Sequence, residues 1–269
     1  MSIKRLLSTV LGLPAVVLVL AFGNTYFIDA AFAIVALISM YEYFNALKEK
    51  ANPVKWLGYL SAAMIAFIHL IPNFNLIYVT YAIPFIVAIL FMQSLFTKMK
   101  YTIKDISITL FGICYISLFI LFIPLISGNV SSKIYLWYII IAAWGTDIFA
   151  YLIGKVFKLG KHKFSKISPN KSIEGCIGGT LGALLIAVIY TYICNVIFKI
   201  QLSYLEMSLV TVILSILSQI GDFSASSIKR YTGMKDFGDL IPGHGGMLDR
   251  MDSVIFIAPF AYLLYMVIL

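Results

Sequence analysis

Residues 106–126 read ISITLFGICYISLFILFIPLI, a run without one charged side chain. A helix rises about 1.5 Å per residue, so a run of this length covers the ~30 Å hydrocarbon layer of a bilayer. Similar apolar runs lie on either side of it at 6–23, 26–47, 56–72, 76–96, 134–153, 175–198, 205–222 and 253–269. Composition agrees: 61% of the 269 residues are hydrophobic, 12% are charged, and the mean hydropathy is +0.97. Soluble domains carry about twice that share of charge, so a lipid bilayer is the solvent for most of this chain. The expected fold class is all-α, a polytopic integral membrane protein of about nine transmembrane helices.

The charges show how such a bundle sits. Lys4, Arg5, Lys48, Lys50, Lys55, Lys98, Lys100 and Lys104 fall on one side of the spans. The same side holds Lys155, Lys158, Lys161, Lys163, Lys166, Lys171, Lys229, Arg230, Lys235 and Arg250, leaving only Lys133 and Lys199 on the other. With 18 of 20 basic residues on one side, the positive-inside rule puts the N-terminus in the cytoplasm. The net charge of +8 is thus membrane topology and does not mark a nucleic-acid binder. The first run follows Lys4 and Arg5, as a signal peptide would. Its long apolar core and the span directly after it favour a retained helix. Cys114, Cys176 and Cys194 show no disulfide or metal spacing and read as small packing residues. Asp29, Glu42 and His69, the polar exceptions in the first four spans, are expected to serve structure.

Chemistry is concentrated later. Between Gly221 and Asp252 lie Asp222, Asp236, Asp239, Asp249 and Asp252, with Lys229, Arg230, Lys235, Arg250 and His244 among them. Such a cluster between apolar helices is costly unless it has a task. Carboxylates interspersed with Lys and Arg suit a divalent cation and a polyphosphate held together; hard oxygen ligands favour Mg2+. The turn Pro242-Gly243-His244-Gly245-Gly246 would let backbone N–H groups approach an anion. If a helix begins near 249, Asp249 and Asp252 lie one turn apart on one face. Upstream, Asp147 falls about six residues, or ~9 Å, inside a span and is a functional candidate. Lys171, Ser172 and Glu174 stand at the start of the next span, where free N–H groups favour anions. Gly175, Gly178, Gly179 and Gly182 have the spacing of close helix packing.

The string Ser226-x-Ile228-Lys229-Arg230-x4-Lys235-Asp236-x-Gly238-x2-Ile241-Pro242-x-His244-Gly245-Gly246-Met247-x-Asp249-Arg250-Met251-Asp252 resembles the signature of phosphatidate cytidylyltransferases, the CDP-diacylglycerol synthases. Gly221-Asp222 before it and Trp144–Tyr151 with Ser168–Gly175 upstream are also similar to that family. The chain departs from many relatives at Ala225, where they carry an acid, and at Phe237, where they carry serine. The resemblance implies that CTP and phosphatidic acid yield CDP-diacylglycerol and pyrophosphate in phospholipid biosynthesis. It implies Asp222, Asp249 and Asp252 as Mg2+ ligands, and allows a second cation. Lys229, Arg230, Lys235 and Arg250 would meet phosphates. Gly243, His244, Gly245 and Gly246 would shape the nucleotide pocket, with Asp147, Lys171, Ser172, Glu174, Ser226 and Asp236 around it.

On this reading residues 1–105 are a transmembrane scaffold. Residues 106–269 form the catalytic region, with cytoplasmic loops at 154–174 and 223–252, in the cell membrane and facing the cytoplasm. Uneven charge and close-packing glycines permit a homodimer. Two rivals stay open: a CTP-dependent polyprenol kinase or ether-lipid synthase on the same scaffold, and a transporter for a phosphorylated solute. A transporter would more often show broken helices in two related halves.

Overall fold

The structure is a computed structural model that describes residues 14, 16–128, 132–156, 171–241, 243 and 245–268. Among these residues regular structure is helical and no β-strand occurs. The helices are α1 (Thr25–Leu47), α2 (Lys55–Leu70), α3 (Ile77–Phe96), α4 (Ile103–Ile126), α5 (Lys133–Lys155), α6 (Ile173–Val196), α7 (Tyr204–Thr232) and α8 (Met247–Ile268). All but α2 are long and apolar enough to cross a membrane. Of the nine expected spans, the first lies mostly outside the described residues, with 16–22 helical. The third is the shorter α2, whose last turns tighten to a 3-10 helix over Met64–Leu70. It stops at Ile71, whose ψ of 111° is the extended conformation imposed on a residue before proline, here Pro72.

The connection expected over 223–252 is much shorter. Helix α7 continues to Thr232 and α8 already begins at Met247. Polar residues on an amphipathic helical extension keep their backbone bonds satisfied, so the charges of 222–230 do not end the helix.

Contacts divide the chain into two compact units that interleave in sequence: residues 1–128 with 232–250, and residues 129–231 with 251–269. In the first, α1 packs on α2 and α4 where Gly58 and Gly112 make room. A Cβ would come within 2.5 Å of the Phe44 ring at Gly58 and 2.8 Å of Tyr43 at Gly112. Thr102 and Asp105 close a capping box at the start of α4. Asp105 also accepts from Asn52 N at 2.6 Å, and Thr109 accepts from Val54 N at 2.9 Å, tying the α1–α2 connection to α4. His69 Nδ1 lies 2.9 Å from the buried Asp29 carboxylate. That pair joins α1 to α2.

In the second unit the glycine face of α6 lies on α5. A Cβ at Gly182 would sit 2.0 Å from Phe149, and one at Gly179 would sit 2.7 Å from the Thr146 carbonyl oxygen. Small residues at this spacing let two helix backbones approach in lipid, where dispersion replaces the hydrophobic effect as the driving force. Tyr138 and Thr191 add a buried 2.8 Å hydrogen bond between α5 and α6.

Candidate active site

Because α7 runs on to Thr232, Asp222, Ser226, Lys229 and Arg230 all project from its last turns. Asp222 forms an ion pair with Lys171, the residue two positions before α6. The Lys171 ammonium also lies 5.0 Å from the centre of the Phe223 ring, a cation–π distance. Burial works to lower the pKa of Lys171, but the carboxylates of Asp222 and Asp147 outweigh it and raise it above the ordinary lysine value. The side chain therefore stays charged throughout the neutral range.

Asp252 completes the group. It is buried in the second turn of α8, and its Oδ1 accepts from Ser253 N at 2.7 Å. It lies within electrostatic reach of Asp222, Lys229 and Asp147. Three carboxylates and two ammonium groups thus converge in the second unit from α5, α7, α8 and the approach to α6. Ser172 caps α6 by accepting from Gly175 N at 3.1 Å, and Glu174 stands in the first turn, where a carboxylate suits the helix dipole.

A ladder of hydroxyls and an amide fixes the helices just below this cluster. Thr146 and Ser215 are 2.6 Å apart, Ser215 donates to Thr180 at 3.0 Å, and Gln219 Nε2 donates to Thr180 at 3.1 Å. The ladder ties α5, α6 and α7 together within about two turns of Asp222. A π-helical segment, Ile141–Gly145, directly precedes Thr146 and Asp147. Such a bulge re-aims the residues after it relative to those before it, and occurs often at functional sites.

The remaining candidates belong to the first unit. Ile241 N donates to Gly245 O at 2.9 Å, closing a tight turn in which Gly243 and Gly245 have φ of 80° and 83°. Glycine reaches such angles without strain. Asp249 Oδ2 accepts from Phe237 N at 2.7 Å and Gly246 N at 3.0 Å, so this carboxylate holds the loop in shape. The next two N–H groups, of Met247 and Leu248, donate to Glu42 of α1 at 2.9 and 2.8 Å. In the turn 242–246, whose backbone donors the sequence suggests for an anion, the N–H of Gly246 is therefore spent on Asp249, and the two donors that follow it are spent on Glu42. Lys235, Asp236, Gly243 and Arg250 are exposed, and His244 lies outside the described residues. Of the two departures from the signature, Phe237 is a fully buried core residue of the first unit and Ala225 is fully buried in the second.

Glu42 is expected from the sequence to serve structure, and its link to this loop is what the sequence did not show. Its signal was present: an acid inside an apolar span is a functional candidate by default. What hid it was distance along the chain, since its partners lie more than 200 residues away.

Fold and site together define a polytopic helical membrane protein whose ionisable side chains are gathered at helix ends. The chain matches the model of the Cytidylyltransferase family over residues 3–268, and it belongs to that family. The phosphatidate cytidylyltransferase of Bacillus subtilis (strain 168) is 36% identical over 182 residues, covering 67% of this chain and 65% of that protein. The protein of the same name from Staphylococcus haemolyticus is 37% identical over 173 residues, covering 64% and 63%. The chain thus spans just under two thirds of the length of these two relatives. The phosphatidate cytidylyltransferase of Synechocystis is 32% identical over 100% of this chain and 97% of its own length.

Proposed function

We propose that this protein transfers a cytidylyl group from CTP to phosphatidic acid, releasing CDP-diacylglycerol and pyrophosphate, as a step of phospholipid biosynthesis. The observation that carries the reading is the group of Asp147, Lys171, Asp222, Lys229 and Asp252, in a chain of the Cytidylyltransferase family whose relatives bear the name phosphatidate cytidylyltransferase. A lipid phosphomonoester is already anionic near pH 7, so the reaction needs no strong base. A phosphate oxygen of the lipid attacks the α-phosphorus of CTP, the bond from that phosphorus to the bridging oxygen breaks, and pyrophosphate leaves with the electron pair. The main obstacle is repulsion between two anions, and removing it is electrostatic work.

The donors fit Mg2+. Among the described residues no three His, Cys, Asp or Glu side chains are grouped so that they could hold a metal ion by themselves. Mg2+ commonly takes one or two carboxylates and completes its shell with water and substrate phosphates. Asp222 already holds a cationic group, the Lys171 ammonium. In this reading Asp222 and Asp252 hold the ion, and the family resemblance adds Asp249 and allows a second cation. When bound, Mg2+ supplies charge neutralisation and alignment of the phosphates. Lys171 and Lys229 carry the remaining phosphate charge near Asp222, while Arg230, Lys235 and Arg250 serve the triphosphate or the lipid headgroup. Gly243, His244 and Gly245 shape the nucleotide pocket.

The excess of Lys and Arg on one side supports a cytoplasmic N-terminus and an active site that faces the cytoplasm from the cell membrane. The test is pyrophosphate release by detergent-purified protein given phosphatidic acid, CTP and Mg2+. Release should need all three and should fall at least about a hundredfold in Asp222→Asn. CDP in place of pyrophosphate would make the protein a kinase, and full activity in a correctly inserted Asp222→Asn variant would remove the metal assignment.

A further inference from the structure

We infer that Glu42 is a positioning residue that, with Asp249, holds Phe237–Gly238 and Gly246–Leu248, the two ends of the signature loop, in their working shape; this rests on the reading of that loop as the nucleotide pocket. Glu42 is 4% exposed and belongs to α1, in the part of the chain expected to be scaffold. Both its oxygens are engaged, Oε1 by Met247 N and Oε2 by Leu248 N. The first N–H groups of a helix have no partner within it, and a carboxylate there is favoured by both hydrogen bonding and the helix dipole. The usual source of such a cap is the residue at the helix start. Here it comes from α1, some 200 residues earlier in the chain.

Two further observations show that the loop is built around this side chain. A Cβ on Gly246 would lie 2.4 Å from Glu42 Oε2, and one on Gly238 would lie 2.9 Å from Oε1. Both signature glycines therefore face the same carboxylate. Asp249 takes the N–H groups on either side of the loop, those of Phe237 and Gly246. Glu42 and Asp249 together bind four N–H groups, at 237, 246, 247 and 248. They fix both ends of the loop that carries Asp236, Gly243 and Gly245. Glutamine at position 42 would keep the shape but turn one acceptor into a donor facing a backbone N–H, losing one hydrogen bond and opposing like dipoles.

The experiment compares wild type, Glu42→Gln, Glu42→Ala, Gly246→Ala and the double variant Glu42→Ala/Gly246→Ala, each purified in detergent. CTP affinity is measured by equilibrium binding, beside turnover and thermal unfolding. Glu42→Gln should raise the Kd and KM for CTP about tenfold, leaving the KM for phosphatidic acid within about twofold. Gly246→Ala should weaken CTP binding similarly by displacing the carboxylate. In the double variant the collision disappears, so its loss should be less than the product of the two single losses. Unchanged CTP constants in Glu42→Gln overturn the inference. So does a uniform loss of turnover and thermal stability with both substrate constants unmoved, which marks a merely structural acid. A wild type that does not bind CTP overturns both the inference and the functional reading. One that binds CTP but forms no product overturns only the latter, and the binding comparison then still decides the role of Glu42.

Discussion

The pair of Lys171 and Asp222 shows how one contact can hold a site ready. Each side chain is about one quarter exposed, at 23% and 24%, so the pair is neither a screened surface contact nor a fully desolvated one. Removing one partner leaves a partly buried charge uncompensated. In the presence of a chelator, Lys171→Met should cost about 1–3 kcal/mol, and Lys171→Met/Asp222→Asn should recover much of it. Thermal unfolding of the three proteins in one detergent measures this. Its pH dependence follows from the raised pKa of Lys171. A lysine with an elevated folded pKa contributes fully below its unfolded value, about 10.4, and loses the contribution only as pH rises through the folded value. The wild-type advantage should therefore be flat from about pH 6 to 9.

At the scale of elements, the site depends on how closely α5 and α6 approach, because α5 carries Asp147 and the segment leading into α6 carries Lys171. Gly179 faces the Thr146 carbonyl, a backbone atom that cannot rotate aside. A methyl group there should cost about 1–3 kcal/mol, and a leucine more. The control is Leu181→Ala on the opposite face of α6, where Leu181 is 60% exposed; it should leave the unfolding temperature within about 2 °C. Gly179→Leu should lower both the unfolding temperature and turnover, since separating the helices also breaks the hydroxyl ladder around Thr146, Thr180 and Ser215.

For the whole molecule, the excess of basic residues on one side predicts which loops meet which compartment. In a variant lacking Cys114, Cys176 and Cys194, single cysteines at Asn73 and Gln201 should react with a membrane-impermeant thiol reagent on intact cells. Cysteines at Lys50 and Lys98 should react only after the membrane is opened. The opposite pattern would put the charged cluster on the outer face, away from cytoplasmic CTP. The same basic face would attract anionic lipid, raising the local concentration of a phosphate-bearing substrate.

Apolar runs such as 106–126, the charge asymmetry and the acids of 222–252 were all legible in the chain itself. Span length, the charge of the flanking loops and intramembrane acidity are local properties, written within some twenty residues. The helical state of Asp222 and Lys229 was less legible, because polarity at the end of a span reads equally as loop or as amphipathic helix. Partnership was not legible at all. Every span is apolar toward lipid, so hydrophobic pattern cannot say which helices meet. Only the tertiary structure set Lys171 against Asp222, gathered Asp147 and Asp252 around them, and carried Glu42 to the N–H groups of Met247 and Leu248. Those contacts depend on glycine faces and buried polar atoms finding complements far along the chain, and such matches exist only once the helices have packed.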